Sequence, residues 1–146
     1  MSSANQLDTL YRQVIMDHYK NPRNRGELEG DTLTVDMNNP TCGDRIQLQM
    51  RVEDGKIAEA KFNGEGCSIS MSSASMMTQA VKGLSTDDAL RMSSLFSDMM
   101  LGKEIDTDGL DLGDIEALSG VAKFPARIKC ATLAWKAMEQ GIDEKQ

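Results

Sequence analysis

The residues best suited to chemistry are three cysteines, Cys42, Cys67 and Cys130. Cys42 lies in the stretch Pro-Thr-Cys-Gly-Asp, and Cys67 lies in Gly-Glu-Gly-Cys-Ser. A glycine stands next to each of these cysteines, and it lets the backbone approach the sulfur closely. We expect Cys67 and Cys130 near helix N-termini, where the helix dipole favours the thiolate. Because metal binding and sulfur chemistry both use thiolates, the pattern predicts one shared thiolate site. The alternative is three unrelated buried thiols, since cysteine is among the most buried residue types.

A tetrahedral zinc site needs one ligand more than three cysteines supply. Asp44 is the favoured candidate because it follows Cys42 by two residues in the same predicted turn. The competing candidate is His18, the single histidine, in the last turn of a predicted helix. An imidazole there is more typical of a solvated side chain that the helix dipole stabilises. Arg127 and Lys129, just before the last cysteine, would moderate the negative charge of the site.

The elements that must position these residues follow from hydrophobic periodicity. Helical spacing between residues 7 and 15 predicts a first helix that ends before Asn21-Pro22. Alternating apolar residues predict strands over 33–37, 46–52 and 56–62, and Asp54-Gly55 predicts a tight hairpin between the last two. Helices are predicted over 67–82, 85–102 and 114–121, and from Pro125 onward. The predicted fold class is α+β, a three-stranded antiparallel sheet with helices packed on one face.

Length and charge limit the classes of function. The chain has 146 residues, and we expect residues 1–146 to form a single domain. Its net charge of −7 disfavours partners such as nucleic acid and anionic membranes, because phosphate contacts need a basic surface. No secretory signal is evident, so the expected location is the cytoplasm, where thiols stay reduced. The 11 methionines are expected to fill an aliphatic core, since aromatic residues make up only 4% of the chain.

Four stretches are informative in combination: residues 17–24 (DHYKNPRN), 38–44 (NNPTCGD), 64–70 (GEGCSIS) and 124–130 (FPARIKC). Together they closely resemble the SufU branch of the SufU/IscU (U-type) iron–sulfur cluster assembly family. The resemblance extends over almost the whole chain. It implies a SufE/IscU-like α+β fold in which the three cysteines converge near one surface.

Two features differ from the IscU branch of that family. Lys129 stands where IscU proteins carry a histidine directly before the last cysteine. Residues 123–127 read KFPAR, whereas IscU proteins carry a Leu-Pro-Pro-Val-Lys motif that binds a chaperone. Both differences are shared with the SufU branch, and they favour zinc-dependent sulfur transfer over a scaffold role.

The resemblance also implies a ligand set and a reaction cycle. Zinc is held by Cys42, Asp44, Cys67 and Cys130, and the partner is a pyridoxal-phosphate cysteine desulfurase of the SufS type. A histidine of the desulfurase replaces Cys42 on the zinc, and the freed Cys42 thiolate is the catalytic group that accepts persulfide sulfur. The implied activity is therefore that of a sulfurtransferase that stimulates the desulfurase, with a SufBCD-type scaffold downstream.

Two alternatives use the same cysteines. One is a scaffold that assembles a transient 2Fe–2S cluster, with Asp44 as a labile fourth ligand. The other is a structural zinc module that only mediates interactions and contains no reactive thiol.

Overall fold

The computed structural model describes residues 3–30, 32–40, 43–107 and 109–145, and within these ranges it describes side chains between residues 9 and 143. The first helix ends at Lys20, directly before Asn21-Pro22, as predicted. The elements follow in the order α1 (Ser3–Lys20), β1 (Leu33–Asn39), β2 (Asp44–Glu53), β3 (Lys56–Glu65), α2 (Ser68–Val81), α3 (Thr86–Met100), a 3₁₀ helix (Gly113–Lys123) and α4 (Pro125–Lys145).

The strands form an antiparallel sheet in the order β1-β2-β3. Asp54 and Gly55 join β2 to β3 and have φ of 53° and 75°. Positive φ at both positions is the requirement of a type I′ turn, whose twist matches that of the flanking strands. In the β1–β2 ladder Asn39 is paired with Asp44.

Alternation along β2 directs one face of the sheet toward the helices. Ile46, Leu48 and Met50 are fully buried on this face, and Asp44 lies two residues before Ile46 on the same side. Helix α4 packs against β1 and β2, and α2 packs against β3 and α4. These contacts confirm the predicted α+β class. The alternation along β2 also places the Asp44 carboxylate on the side of the sheet that the helices cover.

The core is rich in methionine, as predicted. Trp135 of α4 stacks on Phe96 of α3 with ring centroids 4.8 Å apart. Ala131 and Met138 are buried on the same face of α4, and Ile128 is half-buried. Buried methionines from the sheet, α2 and α3 belong to the same core cluster as this aromatic pair: Met50, Met71, Met76, Met77, Met92 and Met100.

Helix α2 lies at the centre of the helical layer and carries fully buried hydroxyl side chains: Ser70, Ser72, Ser73, Ser75 and Thr78. Each of these hydroxyls hydrogen-bonds. The Ser72 hydroxyl donates to the Ile15 carbonyl of α1 (2.7 Å), and the Ser73 hydroxyl donates to the Ala131 carbonyl of α4 (2.5 Å). Because a buried hydroxyl needs a partner, these side chains fix how α2 sits against the other elements.

The helix boundaries follow local signals, with one correction. Ser85 caps α3 by accepting a hydrogen bond from the Asp88 amide (3.0 Å). The predicted α-helix over 114–121 is instead the 3₁₀ helix, whose amides bond three residues back, as from Ile115 to Leu112 (3.1 Å). Gly120 within this segment lowers its α-helix propensity.

The longest helices, α1 and α4, carry charged residues along their lengths. In the described part of the chain, every helix is too short or too polar to cross a membrane.

Candidate metal centre

Three potential metal ligands lie together at one end of the sheet. The Asp44 carboxylate, the Cys67 sulfur and the Cys130 sulfur each offer an atom within 4.8 Å of the other two. Asp44 begins β2, Cys67 is the N-cap of α2, and Cys130 lies in the second turn of α4. Asp44 and Cys130 are buried, whereas Cys67 is partly exposed. The fold therefore brings together predicted ligands from three separate elements and leaves one side accessible at Cys67.

One oxygen of the Asp44 carboxylate accepts hydrogen bonds, and the other has no hydrogen-bond partner among the described residues. Oδ1 accepts hydrogen bonds from the Cys67 amide (3.0 Å) and the Ser70 hydroxyl (3.1 Å). Oδ2 is buried and has no hydrogen-bond partner among the described residues. Burying a charged oxygen without a partner is costly, and a metal ion would remove that cost. Two cysteine sulfurs and one carboxylate oxygen are a donor set that zinc accepts, so the residues fit such an ion.

Gly66 makes room for this arrangement. A Cβ at position 66 would lie 2.4 Å from Asp44 Oδ1 and 2.5 Å from Ser70 Oγ, closer than real Cβ contacts. The backbone of Cys67 is extended (φ −71°, ψ 169°) as the chain enters α2, and its amide faces Asp44. Gly66 therefore allows the Asp44 carboxylate to contact the start of α2. This role is additional to the predicted one, in which glycine lets the backbone approach the Cys67 sulfur.

Arg127 contacts the thiols, whereas Lys129 does not. The negative charge of the Cys67 thiolate, together with a hydrogen bond to Cys130, raises the pKa of Arg127 above its ordinary value. Arg127 is exposed to solvent. Lys129 is also exposed, but its side chain makes no hydrogen bond or ion pair within the described ranges. Of the two predicted cations, only Arg127 lies at the thiols.

The remaining predicted ligand, Cys42, lies outside the described residues. Only Gly43 separates it from Asp44 in the sequence. Gly43 has φ of 71°, a left-handed conformation that glycine adopts without strain. The roles of Cys42 as a ligand and as the catalytic thiol stay predictions.

The expectation that His18 is solvated and peripheral is wrong. Its side chain is fully buried, with Nδ1 2.8 Å from the Ser75 hydroxyl and Nε2 2.8 Å from an Asp114 carboxylate oxygen. The Ser75 hydroxyl also accepts a hydrogen bond from the Arg23 amide (2.8 Å). His18 therefore joins α1 to α2 and to the 3₁₀ helix, and it is not part of the ligand group. The helix dipole does not predict this environment, because the partner of Nε2, Asp114, is 96 positions away in sequence.

An apolar groove of about 340 Å³ lies beside the metal centre, between α1 and the 3₁₀ helix. Its apolar lining includes Tyr11, Ile15, Met16, Ile69, Val121 and Phe124. Three exposed cations also line it: Arg12, Lys123 and Arg127. The ring of Phe124 is 62% exposed, and Arg127 belongs both to this groove and to the metal centre.

The sequence alone does not indicate the contact of Ser70 with Asp44 or the steric role of Gly66. Ser70 lies three residues after the N-cap of α2, a position where a polar side chain often bonds near the helix start. That signal indicates a local bond, and Ser70 does lie near the Cys67 carbonyl (3.1 Å). Its contact with Asp44 spans 26 positions and depends on the packing of α2 against the sheet.

Comparison with known proteins agrees with the fold. Residues 10–131 match the family model of the NifU-like N terminal domain. A Bacillus subtilis (strain 168) protein named zinc-dependent sulfurtransferase SufU is 67% identical over 146 residues, which are 100% of this chain and 98% of that relative. A Streptococcus pyogenes serotype M1 protein named iron–sulfur cluster assembly scaffold protein IscU is 47% identical, over 96% of this chain and 87% of that relative.

A solved structure gives the same result. It is a Fervidobacterium islandicum AW-1 protein that is named as an iron–sulfur cluster assembly scaffold protein for the SUF system, with a TM-score of 0.83 and 35% identity. The superposition covers 89% of this chain and 94% of the other. The chain therefore belongs to the family of the NifU-like N-terminal domain, together with its SufU and IscU relatives.

Proposed function

We propose that the chain is a zinc-dependent sulfurtransferase that accepts persulfide sulfur on Cys42 from a SufS-type cysteine desulfurase, for iron–sulfur cluster assembly. The observation that carries the proposal is the group formed by Asp44, Cys67 and Cys130, in which the buried Asp44 Oδ2 has no partner among the described residues. Cys42 stands two positions before Asp44 in the sequence. The 67% identical relative is named a zinc-dependent sulfurtransferase.

Cys42, Asp44, Cys67 and Cys130 would hold the zinc ion. Zinc bound there would keep the cysteines deprotonated and would add no redox chemistry of its own. Three thiolates and one carboxylate around Zn²⁺ give the site a charge of −2. Arg127, whose pKa the neighbouring Cys67 and Cys130 thiols raise, offsets part of that charge. Lys129 directly precedes Cys130 in the sequence, and this position is the only ground for assigning it a part in offsetting the charge.

The transfer step belongs to the Cys42 thiolate. It attacks the outer sulfur of the donor persulfide, so that a sulfur–sulfur bond forms on Cys42 while the donor's sulfur–sulfur bond breaks. The donor cysteine leaves as a thiolate, and any proton on the outer sulfur moves with that sulfur. The exchange needs no external oxidant or reductant, because it follows the course of thiol–disulfide exchange.

The groove beside the metal centre suits the docking of the sulfur donor. Its apolar lining and exposed Phe124 are complementary to an apolar side chain, and its three cations are complementary to carboxylates around that side chain. Because Arg127 belongs to both groove and centre, a protein docked there would lie next to the thiols. We place the reaction in the cytoplasm, where thiols stay reduced, with a SufBCD-type scaffold as the later acceptor.

The test is the rate at which a SufS-type desulfurase forms alanine from cysteine, with and without this protein. We expect the zinc-loaded chain to accelerate alanine formation and the Cys42→Ala variant to fold but give no acceleration. Cys67→Ala and Cys130→Ala are the comparison variants, with circular dichroism to monitor folding. Normal acceleration by Cys42→Ala would refute the transfer role. Equal loss of folding in all three variants would favour the structural zinc module.

A scaffold that assembles a 2Fe–2S cluster is the second candidate, because the 47% identical relative and the solved Fervidobacterium protein are named as scaffolds. Cysteine thiolates such as Cys67 and Cys130 also ligate iron–sulfur clusters. Anaerobic reconstitution with iron and sulfide should then give a coloured cluster that transfers to an acceptor protein. A purified chain that retains one zinc ion, and from which iron does not displace it, would exclude this candidate.

A further inference from the structure

Ser70 has contacts that the proposed reaction does not explain. Its hydroxyl is fully buried at the start of α2 and lies 3.1 Å from Asp44 Oδ1. The sulfur of Cys67 lies 3.8 Å from the same hydroxyl. Ser70 therefore contacts two of the three clustered ligands without being a ligand itself.

We propose that Ser70 is a positioning residue that holds Asp44 by Oδ1, so that only Oδ2 is presented to the metal ion. This inference rests on the metal-binding role proposed above for Asp44. Two donors on Oδ1, the Cys67 amide and the Ser70 hydroxyl, leave Oδ2 as the oxygen with a free lone pair. The carboxylate then binds through one oxygen, as a four-coordinate site with three sulfur ligands requires.

The Ser70 hydroxyl has one proton and two acceptors at equal distance. The Cys67 carbonyl also lies 3.1 Å away, but it already accepts the Met71 amide (3.1 Å) of α2. The Asp44 carboxylate is ionised when it serves as a ligand, and hydrogen bonds to ionised acceptors are about twice as strong as neutral ones. The proton therefore goes to Asp44 Oδ1.

The shape of the site supports the same assignment. Gly66 lies against both partners, and a methyl group there would meet Asp44 Oδ1 at 2.4 Å and Ser70 Oγ at 2.5 Å. A side chain at position 66 would have to separate the hydroxyl from the carboxylate. The close approach of Ser70 and Asp44 thus depends on the absence of a side chain between them.

The test compares Ser70→Ala with a matched control, Ser72→Ala. Ser72 is also a fully buried hydroxyl of α2, but it donates to the Ile15 carbonyl of α1, on a different element from Asp44. Zinc affinity is measured by competition with a chromophoric chelator, and the ligand geometry is followed by the visible spectrum of the Co²⁺-substituted chain. We expect Ser70→Ala to bind zinc about 10- to 100-fold more weakly, the usual effect of removing a hydrogen-bond partner of a ligand. We also expect it to alter the Co²⁺ spectrum, whereas Ser72→Ala should retain both properties.

The second variant, Gly66→Ala, separates Ser70 from Asp44 without removing either. Its control is Gly120→Ala, where an added Cβ meets nothing within 4 Å. We expect weaker zinc binding in Gly66→Ala and unchanged binding in Gly120→Ala. Wild-type affinity in Ser70→Ala, or in Gly66→Ala where Ser70→Ala does not fold, would overturn the inference, as would an equal loss in Ser72→Ala. Failure of the unaltered chain to bind zinc would instead refute the metal role of Asp44, and this inference with it.

Discussion

At the scale of single residues, His18 is the clearest case of a side chain whose surroundings define its role. Both ring nitrogens have partners, Ser75 on one side and Asp114 on the other. A histidine that acts as a metal ligand must leave one ring nitrogen free for the ion. The imidazole is therefore a structural connection between α1, α2 and the 3₁₀ helix.

Replacing His18 with alanine should destabilise the fold without affecting the metal. The change removes both hydrogen bonds of a buried imidazole, one of them to the half-exposed Asp114, and leaves a cavity. We therefore expect the free energy of unfolding to fall by about 2–4 kcal/mol. Urea denaturation followed by circular dichroism measures this change, and zinc content should stay as in the unaltered chain. Lys20→Ala, an exposed position in the same helical turn, should change stability by less than about 0.5 kcal/mol. Loss of zinc from a folded His18→Ala variant would return His18 to the ligand candidates.

At the scale of elements, α2 shows which features of the fold can be predicted from sequence and which cannot. Its length, its end before Gly83 and the alternation of the three strands are local patterns, and they were predicted from sequence. The partners of its hydroxyls are not local, since Ser73 bonds a carbonyl 58 positions away. The same limit explains why Asp44, Cys67 and Cys130 were identified as candidates while Ser70 was not. Each of the three has a distinctive side chain, but serine in a helix has no distinctive pattern.

Removing the Ser73 hydroxyl should loosen α2 from α4. The indole nitrogen of Trp135 donates to Ser73 Oγ (3.1 Å) in the core, so Ser73→Ala leaves a buried donor without its partner. We expect a loss of about 1–3 kcal/mol in the free energy of unfolding. The measurement is urea denaturation followed by both circular dichroism and Trp135 fluorescence. Ser94→Ala, at an exposed position of α3, is the control and should be nearly neutral. Equal stability of the two variants would mean that Trp135 finds another acceptor.

At the scale of the whole molecule, the net charge is negative but one part of the surface is locally positive. The chain carries a net charge of −7, yet the groove beside the metal centre is lined by Arg12, Lys123 and Arg127. Local positive charge on an acidic protein favours partners that present carboxylates at that point. Phe124 supplies an exposed apolar surface at the same place.

Phe124→Ala should weaken binding of the proposed desulfurase partner and leave zinc binding intact. Aromatic side chains are enriched among the residues that dominate interface energies, and their truncation commonly costs about 2 kcal/mol or more. We therefore expect the dissociation constant to rise at least about tenfold in isothermal titration calorimetry. Leu101→Ala is the matched control, because Leu101 is similarly exposed (66%) but lies at the end of α3, outside the lining of the groove. An equal effect of both substitutions would argue against docking in the groove.

The distance along the chain between the clustered ligands has a consequence for folding. Asp44 and Cys67 are 23 positions apart, and Cys130 follows 63 positions later. An ion held by all three would close two loops at once, and loop closure removes conformational entropy that grows with the logarithm of loop length. The ligands meet only when β2, α2 and α4 are already packed, so the ion would bind the folded chain in preference to the unfolded one. Linkage then makes the thermal midpoint rise with free metal concentration. We therefore expect the chain to persist longer in a cell when the concentration of free metal is higher.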